Sequence, residues 1–280
     1  MLSVGFDIRP LIFTRAGIKT YLYNLISGLA VTGGCELRLF VSSKSGIDWS
    51  KLPADISEEL VRLPHINALF ERFWGEVLLP RAVKKAGCGV FHGARFFVPA
   101  RLSCPSVVTV HDLAFKKIPG LVSPDSGRYF DSLVASSVKI ARKIIVPSAA
   151  TGADLQEFYG VAREKVAVVH EAAEQEFRRF TDRQKFDALK RKFGIRERFL
   201  LGVGTIEPRK NYATLLKAYK MLKGRDDLQL VLAGGPGWLY EDVYRTVGRL
   251  GLKDEVIFTG HMDTVDLVQL YNNCDVFVFP

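Results

Sequence analysis

The chain has 280 residues, of which 48% are hydrophobic and 25% charged, a composition that excludes disordered and fibrous classes and leaves room for one large domain or two smaller ones. Its 39 Lys and Arg against 30 Asp and Glu give a net charge of +9, which favours anionic partners such as nucleotides, phosphorylated sugars or acidic lipid. No apolar run approaches the roughly 20 residues that cross a bilayer, and the start, MLSVGFDIRP, lacks a basic segment followed by an apolar core, so a cytoplasmic location is expected.

In chain order, residues 2–7 read as a first strand and 17–29 (GIKTYLYNLISGL) as a helix, because Tyr21, Leu22, Leu25, Ile26 and Leu29 recur at helical spacing. The next strands are expected at 37–42 and 61–64, with a polar loop between them. Residues 70–86 read as a helix that Pro80 should end or kink. On it Arg72, Arg81, Lys84 and Lys85 stand near Phe70, Phe73 and Trp74, which fits either a solvated basic face or a surface resting on anionic lipid headgroups. Short apolar runs at 90–92 and 106–112 (SVVTVHD) have the fully buried character of parallel strands. Helices at 126–142 and 149–158 then alternate with strands at 143–147 and 165–169. This alternation predicts a doubly wound α/β domain, whose ligands gather at the carboxyl ends of the strands. Three places qualify: the loop before Gly17, residues 92–97, and the pair His111 and Asp112.

Residues 171–198 are charged, with scattered apolar anchors, and are expected to hold a domain junction, placed between 180 and 181. A second alternation follows, with strands at 199–204, 228–234, 256–260 and 276–280 and helices at 211–223, 240–250 and 265–271. No helix follows the last apolar strand to cover it, so this domain is expected to be incomplete. The four cysteines, Cys35, Cys88, Cys104 and Cys274, lie far apart without a C-x-x-C pair and read as buried thiols.

The stretch FLLGVGTIEPRKNYATLLKAY (199–219) carries the clearest chemistry. A buried strand runs into Gly202 and Gly204, which permit a tight turn, and Arg209 and Lys210 precede the amphipathic helix that opens at Asn211. Two cations beside a helix amino end suit a diphosphate, the alternative being a solvated loop pair. Gly202–Glu207 is not a dinucleotide fingerprint, because Glu207 stands where the third glycine should be. Gly17-Ile18-Lys19-Thr20 lacks the spacing of a P-loop, which excludes an ATPase of that type. No H-E-x-x-H, no G-x-S-x-G and no carboxylate cluster with metal spacing is present, so no metal site is expected. Nucleic acid is disfavoured, since no recognised binding pattern accompanies the charge. His92 and Arg95 read as acceptor-side candidates, His261 as either a residue near a nucleotide base or a surface loop histidine, and His111 as either a core histidine or a site residue. Gly234, Gly235 and Gly237 read as turn geometry, and Trp238 is expected to pack on the helix that follows.

VGTIEPRKNYATLLKAY, LVLAGGPGWLYEDV and VIFTGHMDTVDLVQLYNNCDVFVFP resemble the family 4 glycosyltransferases (glycosyl transferase group 1) of the GT-B fold. In the first half, AGIKTYLYNLISGL resembles their glycine loop and first helix, SVVTVHDLAF their His-Asp segment, and KIIVPSAATGADL the strand and helix near that domain's end. The resemblance implies two Rossmann-like doubly wound domains facing a cleft: an acceptor-side domain over 1–180 and a nucleotide-sugar donor-binding domain, incomplete, over 181–280. It implies that Arg209 and Lys210 bind the donor diphosphate and stabilise the leaving group, that Gly17 belongs to a loop approaching that phosphate, and that His111 lies near the transferring sugar. Gly204 and His261 join the donor side, and His92, Arg95 and Asp112 the acceptor side. An Arg-Lys pair with helix N–H groups can take the place of a metal ion against a departing diphosphate.

Two departures stand out. Where the family loop often has two adjacent glycines, this chain has Ala16-Gly17. The family's E-x7-E segment, which holds the donor sugar, would follow residue 280. The expectation is therefore a metal-independent, retaining hexosyltransferase of polysaccharide synthesis, mannosyltransferase-like and without a bound cofactor, inactive or weak as a 280-residue chain. Its donor is a nucleotide diphosphosugar and its acceptor a saccharide or lipid-linked intermediate, with peripheral attachment at the inner membrane face compatible with the charge. A non-catalytic phosphate-binding remnant and an anionic-surface binding protein are the rival readings.

Overall fold

The computed structural model describes residues 1–13, 17–42, 46–53, 57–60, 73–118, 120–222 and 227–280. The chain divides into two compact units, Met1–Ala172 and Ala173–Pro280, each built on its own parallel sheet.

In the first unit, strands β1 (Leu2–Asp7), β2 (Cys35–Val41), β3 (Ser57–Leu60), β4 (Val90–Gly93), β5 (Ser106–Thr109), β6 (Lys143–Val146) and β7 (Val166–Val168) pair in the order β3-β2-β1-β4-β5-β6-β7. The chain winds outward from β1 to β3, then returns to the other side of β1, so the order reverses between β1 and β4. Such a reversal leaves a crevice at the carboxyl ends of the two strands, where neighbouring connections depart to opposite faces. Helix α1 (Gly17–Thr32) covers one face, burying Leu22, Tyr23 and Ile26 against Phe6, Leu37 and Leu39. The other face packs α2 (Leu79–Lys85), α3 (Pro124–Ile140) and α4 (Ala149–Tyr159) through Leu79, Val83, Val134, Val138 and Leu155 on Phe91, Val108, Ile144 and Val146.

The second unit has α5 (Arg183–Phe193), β8 (Arg198–Val203), α6 (Tyr212–Met221), β9 (Leu228–Ala233), α7 (Glu241–Leu250), β10 (Val256–Gly260), α8 (Thr264–Asn273) and β11 (Val276–Phe277). Its sheet order, β10-β9-β8-β11, reverses between β8 and β11. Leu215, Leu216, Tyr219, Val243 and Val247 from α6 and α7 fill one face, and Phe186, Leu189 and Leu270 from α5 and α8 the other.

Most sequence expectations hold to within a few residues, because the runs in question are short, apolar and bounded by turn residues. The strand expected at 61–64 lies outside the described residues, as do Phe70 and Arg72, and the observed β3 ends just before it. The helix expected at 70–86 is, where described, a π-helical turn (Trp74–Leu78) leading into α2, with Pro80 in the first turn of α2. A proline is tolerated there because first-turn N–H groups need no intrahelical partner. The reading of four buried thiols is corrected: all four are free, but only Cys88 is buried. Among the described residues, no helix is long and apolar enough to cross a membrane.

Candidate functional site

In the first unit the sequence-chosen residues collect at the crevice. Gly17 opens α1, exposed to solvent, and Ala16 lies outside the described residues. One turn along α1, the Tyr21 hydroxyl lies 3.0 Å from Thr109 Oγ1, which is itself 2.8 Å from His92 Nε2. His92, at the end of β4, is buried, and desolvation aided by the nearby His111 lowers its pKa from 6.5 to about 4. It is therefore a neutral core histidine within a polar chain. Burial likewise pushes the Tyr21 phenol up, so it stays a proton donor.

His111 follows β5. Its Nε2 donates to the Ala94 carbonyl at 2.9 Å and its Nδ1 pairs with Glu171 Oε1 at 2.9 Å. Tyr21 and Phe96 wall it edge-on, with ring centroids 4.8 and 5.7 Å away. Both nitrogens are engaged, so the ring has a fixed orientation. A ligand hydroxyl reaches it only by replacing one of these partners. Phe96 adopts φ +58°, a strained value for a non-glycine residue that is characteristic of site loops. Arg95 stacks over Phe130, its guanidinium carbon 5.8 Å from the ring centroid. Asp112 Oδ1 accepts from the Ala114 amide at 3.0 Å and so starts the one-turn helix Ala114–Lys117, a backbone role.

The second unit builds the cation pair on the loop between β8 and α6, beside the sheet's reversal point. Pro208–Lys210 forms a single 3-10 turn, and Asn211, with φ +52°, turns the chain into α6. Gly204 adopts φ +140°, a conformation that favours glycine, and a Cβ there would lie 3.0 Å from the Lys210 side chain. Tyr212 donates from its hydroxyl to the Gly204 carbonyl at 3.2 Å, and burial raises its pKa well above the usual phenol value. Lys210 Nζ lies 4.4 Å from the Phe279 ring centroid. Arg209 is held by Glu207: Nε at 3.0 Å and Nη2 at 2.8 Å both meet Oε1.

Loops after β8, β9 and β10 are joined by backbone hydrogen bonds. Gly204 donates to Ala233 and Ile206 to Gly235, both at 2.9 Å, and Gly237 donates to Ile206 at 3.0 Å. Gly234 bridges to Gly260, beside the exposed His261. A Cβ on Gly234 would fall 2.0 Å from the Gly204 carbonyl oxygen, a clash that only glycine avoids. The reading of Gly234 as mere turn geometry therefore misses its function in holding two loops together.

The helix amino ends beyond this platform differ. Asn211 makes no side-chain cap on α6, whose first turn has no acidic residue. The first turn of α7 holds Glu241 and Asp242. That of α8 is capped by Asp263 and contains Asp266. Of these three helix ends, α6 alone has neither a capping side chain nor a first-turn acid, and two cations precede its positive dipole end.

Structure adds residues that the sequence did not mark for a site, Tyr21, Thr109 and Glu171 in the first unit and Glu207 in the second. Glu207 alone had a local signal, two positions before Arg209. The others meet their partners only through tertiary folding.

Two doubly wound parallel-sheet units, the second with a cation pair at the carboxyl end of its first strand, define a protein of the GT-B type. Residues 15–176 match the model of Glycosyltransferase Family 4, and residues 185–280 that of Glycosyl transferases group 1. The chain belongs to glycosyltransferase family 4. It is 25% identical over 294 residues to O-antigen chain mannosyltransferase B of Escherichia coli, covering 100% of this chain and 76% of that protein. It is 30% identical over 183 residues to the serotype-specific mannosyltransferase WbdA of Escherichia coli, covering 62% of this chain and only 22% of that much longer protein. Among solved structures, Anabaena Alr3699/HepE in complex with UDP and glucose superposes with a TM-score of 0.70 at 19% identity, covering 99% of this chain and 73% of that one.

Proposed function

We propose that the protein transfers a hexosyl residue, of the mannosyl class, from a nucleotide diphosphosugar to a saccharide or lipid-linked acceptor, with retention of anomeric configuration and without a metal ion. The observation that carries this reading is the joint placement of Arg209, Lys210 and the uncapped, acid-free amino end of α6 at the end of β8. In the reaction the bond from the anomeric carbon to the diphosphate oxygen breaks, its electron pair leaves on the diphosphate, the acceptor hydroxyl oxygen bonds to that carbon from the same face, and the hydroxyl proton passes to the departing diphosphate oxygen. Negative charge grows on the departing oxygen. Fixed donors aimed at that charge lower the barrier, as preorganised dipoles do elsewhere. The mannosyltransferase names of the relatives support the sugar class.

Residues 181–280 supply the donor domain in this reading, with Gly204 and His261 beside the diphosphate and the base. Residues 1–180 supply the acceptor domain, with Gly17 and His111 as its candidate site residues and His92, Arg95 and Asp112 as its supporting groups. His92 and Asp112 act through other residues, since the first is a buried neutral partner of Thr109 and the second holds backbone. Exposed Arg81, Lys84, Lys85 and Phe73 support peripheral attachment to anionic lipid.

The test is calorimetric titration of GDP and UDP, each with and without its mannosyl or glucosyl conjugate, in EDTA. Binding is expected to persist in EDTA and to weaken roughly tenfold to a hundredfold in Arg209→Ala, the loss typical of hydrogen bonds to charged groups. Equal affinity in the variant would remove the donor assignment. Transfer to an acceptor saccharide, followed by the anomeric coupling in the product's NMR spectrum, tests retention.

A further inference from the structure

Trp238, in the loop between β9 and α7, is an exposed aromatic that the cation pair does not use. Its side chain is 45% exposed, against 1% for Trp74, while Trp49 is half-buried. Trp238 is thus not a core residue. An indole held in water forgoes a large burial gain. Leu239 beside it is 44% exposed and adopts φ +51°, a conformation costly for leucine. An exposed indole followed by a strained, exposed leucine is a local arrangement that the surrounding structure must impose.

The imposing contacts are visible. Gly237 donates to the Ile206 carbonyl, and a Cβ on it would meet Thr205 Cγ2 at 2.5 Å and Glu207 Cβ at 3.4 Å. Trp238 therefore begins directly beside the loop that carries Arg209. The electrostatic surroundings change at this point, because α7 opens with Glu241 and Asp242 and disfavours an anion. The sheet order places the β9 loop between the cradle after β8 and the His261 loop after β10. Two strand spacings, about 10 Å, separate β8 from β10. A ligand anchored by its anionic end at α6 and extending along this edge passes from a cationic zone to the exposed indole of Trp238, ahead of the acidic start of α7. A nucleoside diphosphate has that polarity, charge at one end and a flat aromatic ring at the other.

We propose that Trp238 is a nucleobase-stacking residue of the donor site, its indole presented at the strand end by the Gly237 contact and the left-handed Leu239. This rests on the diphosphate reading of Arg209 and Lys210. It assigns the base to the β9 loop as well as to the neighbourhood of His261.

The experiment uses the full chain and three probes: inorganic diphosphate, GDP and UDP, followed by calorimetry and by tryptophan emission. GDP and UDP are expected to quench emission and inorganic diphosphate to bind without quenching. Trp238→Phe should keep nucleotide affinity within a few-fold and lose the quench. Trp238→Ala should weaken GDP and UDP about tenfold to a hundredfold, the range seen for loss of one base–aromatic stack, while leaving diphosphate affinity unchanged. Equal weakening of all three probes would show a structural effect and overturn the stacking role. Unchanged nucleotide affinity in Trp238→Ala would also overturn it, and would mark the exposed indole as a contact for another molecule. Failure of inorganic diphosphate to bind the wild-type chain would instead overturn the phosphate cradle, and the stacking assignment with it.

Discussion

At the scale of single residues, the two cation-bearing positions owe their geometry to partners of opposite charge or matching shape. Glu207 fixes Arg209 through one carboxylate oxygen, although an acidic group beside a diphosphate site costs electrostatic energy. The explanation is preorganisation: a guanidinium already aimed loses less freedom when the anion arrives. Glu207→Ala is therefore expected to weaken inorganic diphosphate severalfold, and Glu207→Gln, which keeps the acceptor oxygen and removes the charge, to restore or exceed wild-type affinity. Calorimetry on the three proteins checks it, and tighter binding by Glu207→Ala would reject the brace. His92 gives a pH signature. Its native pKa, about 4, lies below the unfolded value of 6.5, so the unfolded chain takes up a proton first as pH falls. The contribution is complete above 6.5, declines between 6.5 and about 4, and is lost below. The span corresponds to about 3 kcal/mol at most. Urea unfolding of His92→Gln should show a flatter stability profile from neutral pH down to pH 4 than the parent chain.

At the scale of elements, the three strand-end loops of the second unit behave as one platform because their backbones bond to each other. Gly234 is the closest point of that assembly. Gly234→Ala forces the Gly204 carbonyl away and is expected to lower the unfolding midpoint by the equivalent of about 1–3 kcal/mol, the usual cost of overpacking, and to abolish diphosphate binding. Circular dichroism should show the secondary structure retained, and unaltered diphosphate affinity would separate Gly234 from the cradle. Much of this element was readable beforehand. Apolar run, G-x-G, P-R-K-N and amphipathic helix are local signals, each set by residues within a few positions of one another. The interlock of the loops was not readable, since Ala233, Gly235 and Gly260 reach their partners across strand pairing. The same holds for Trp238, whose exposure depends on how Gly237 meets Thr205.

At the scale of the whole molecule, each unit has its own sheet and its own pair of apolar clusters, which is the physical basis for treating them as separate folding bodies. If GDP binds at the β8 platform, scanning calorimetry should show saturating GDP raising the transition of residues 173–280. At a hundred times the dissociation constant the gain is about 2.7 kcal/mol. A shift confined to the other transition would place the nucleotide elsewhere. The sequence by itself determined the class of fold, the number of units and the position of the cation pair. Hydrophobic periodicity and turn residues act over short stretches and leave their mark in the order of letters. Tertiary structure alone decided the surroundings of individual groups: that His92 is neutral and inside, that His111 is tied to Ala94 and Glu171, that Glu207 aims Arg209, and that Trp238 stands in solvent. These outcomes depend on burial and on contacts between residues far apart in the chain, which only the paired strands and packed helices bring within reach.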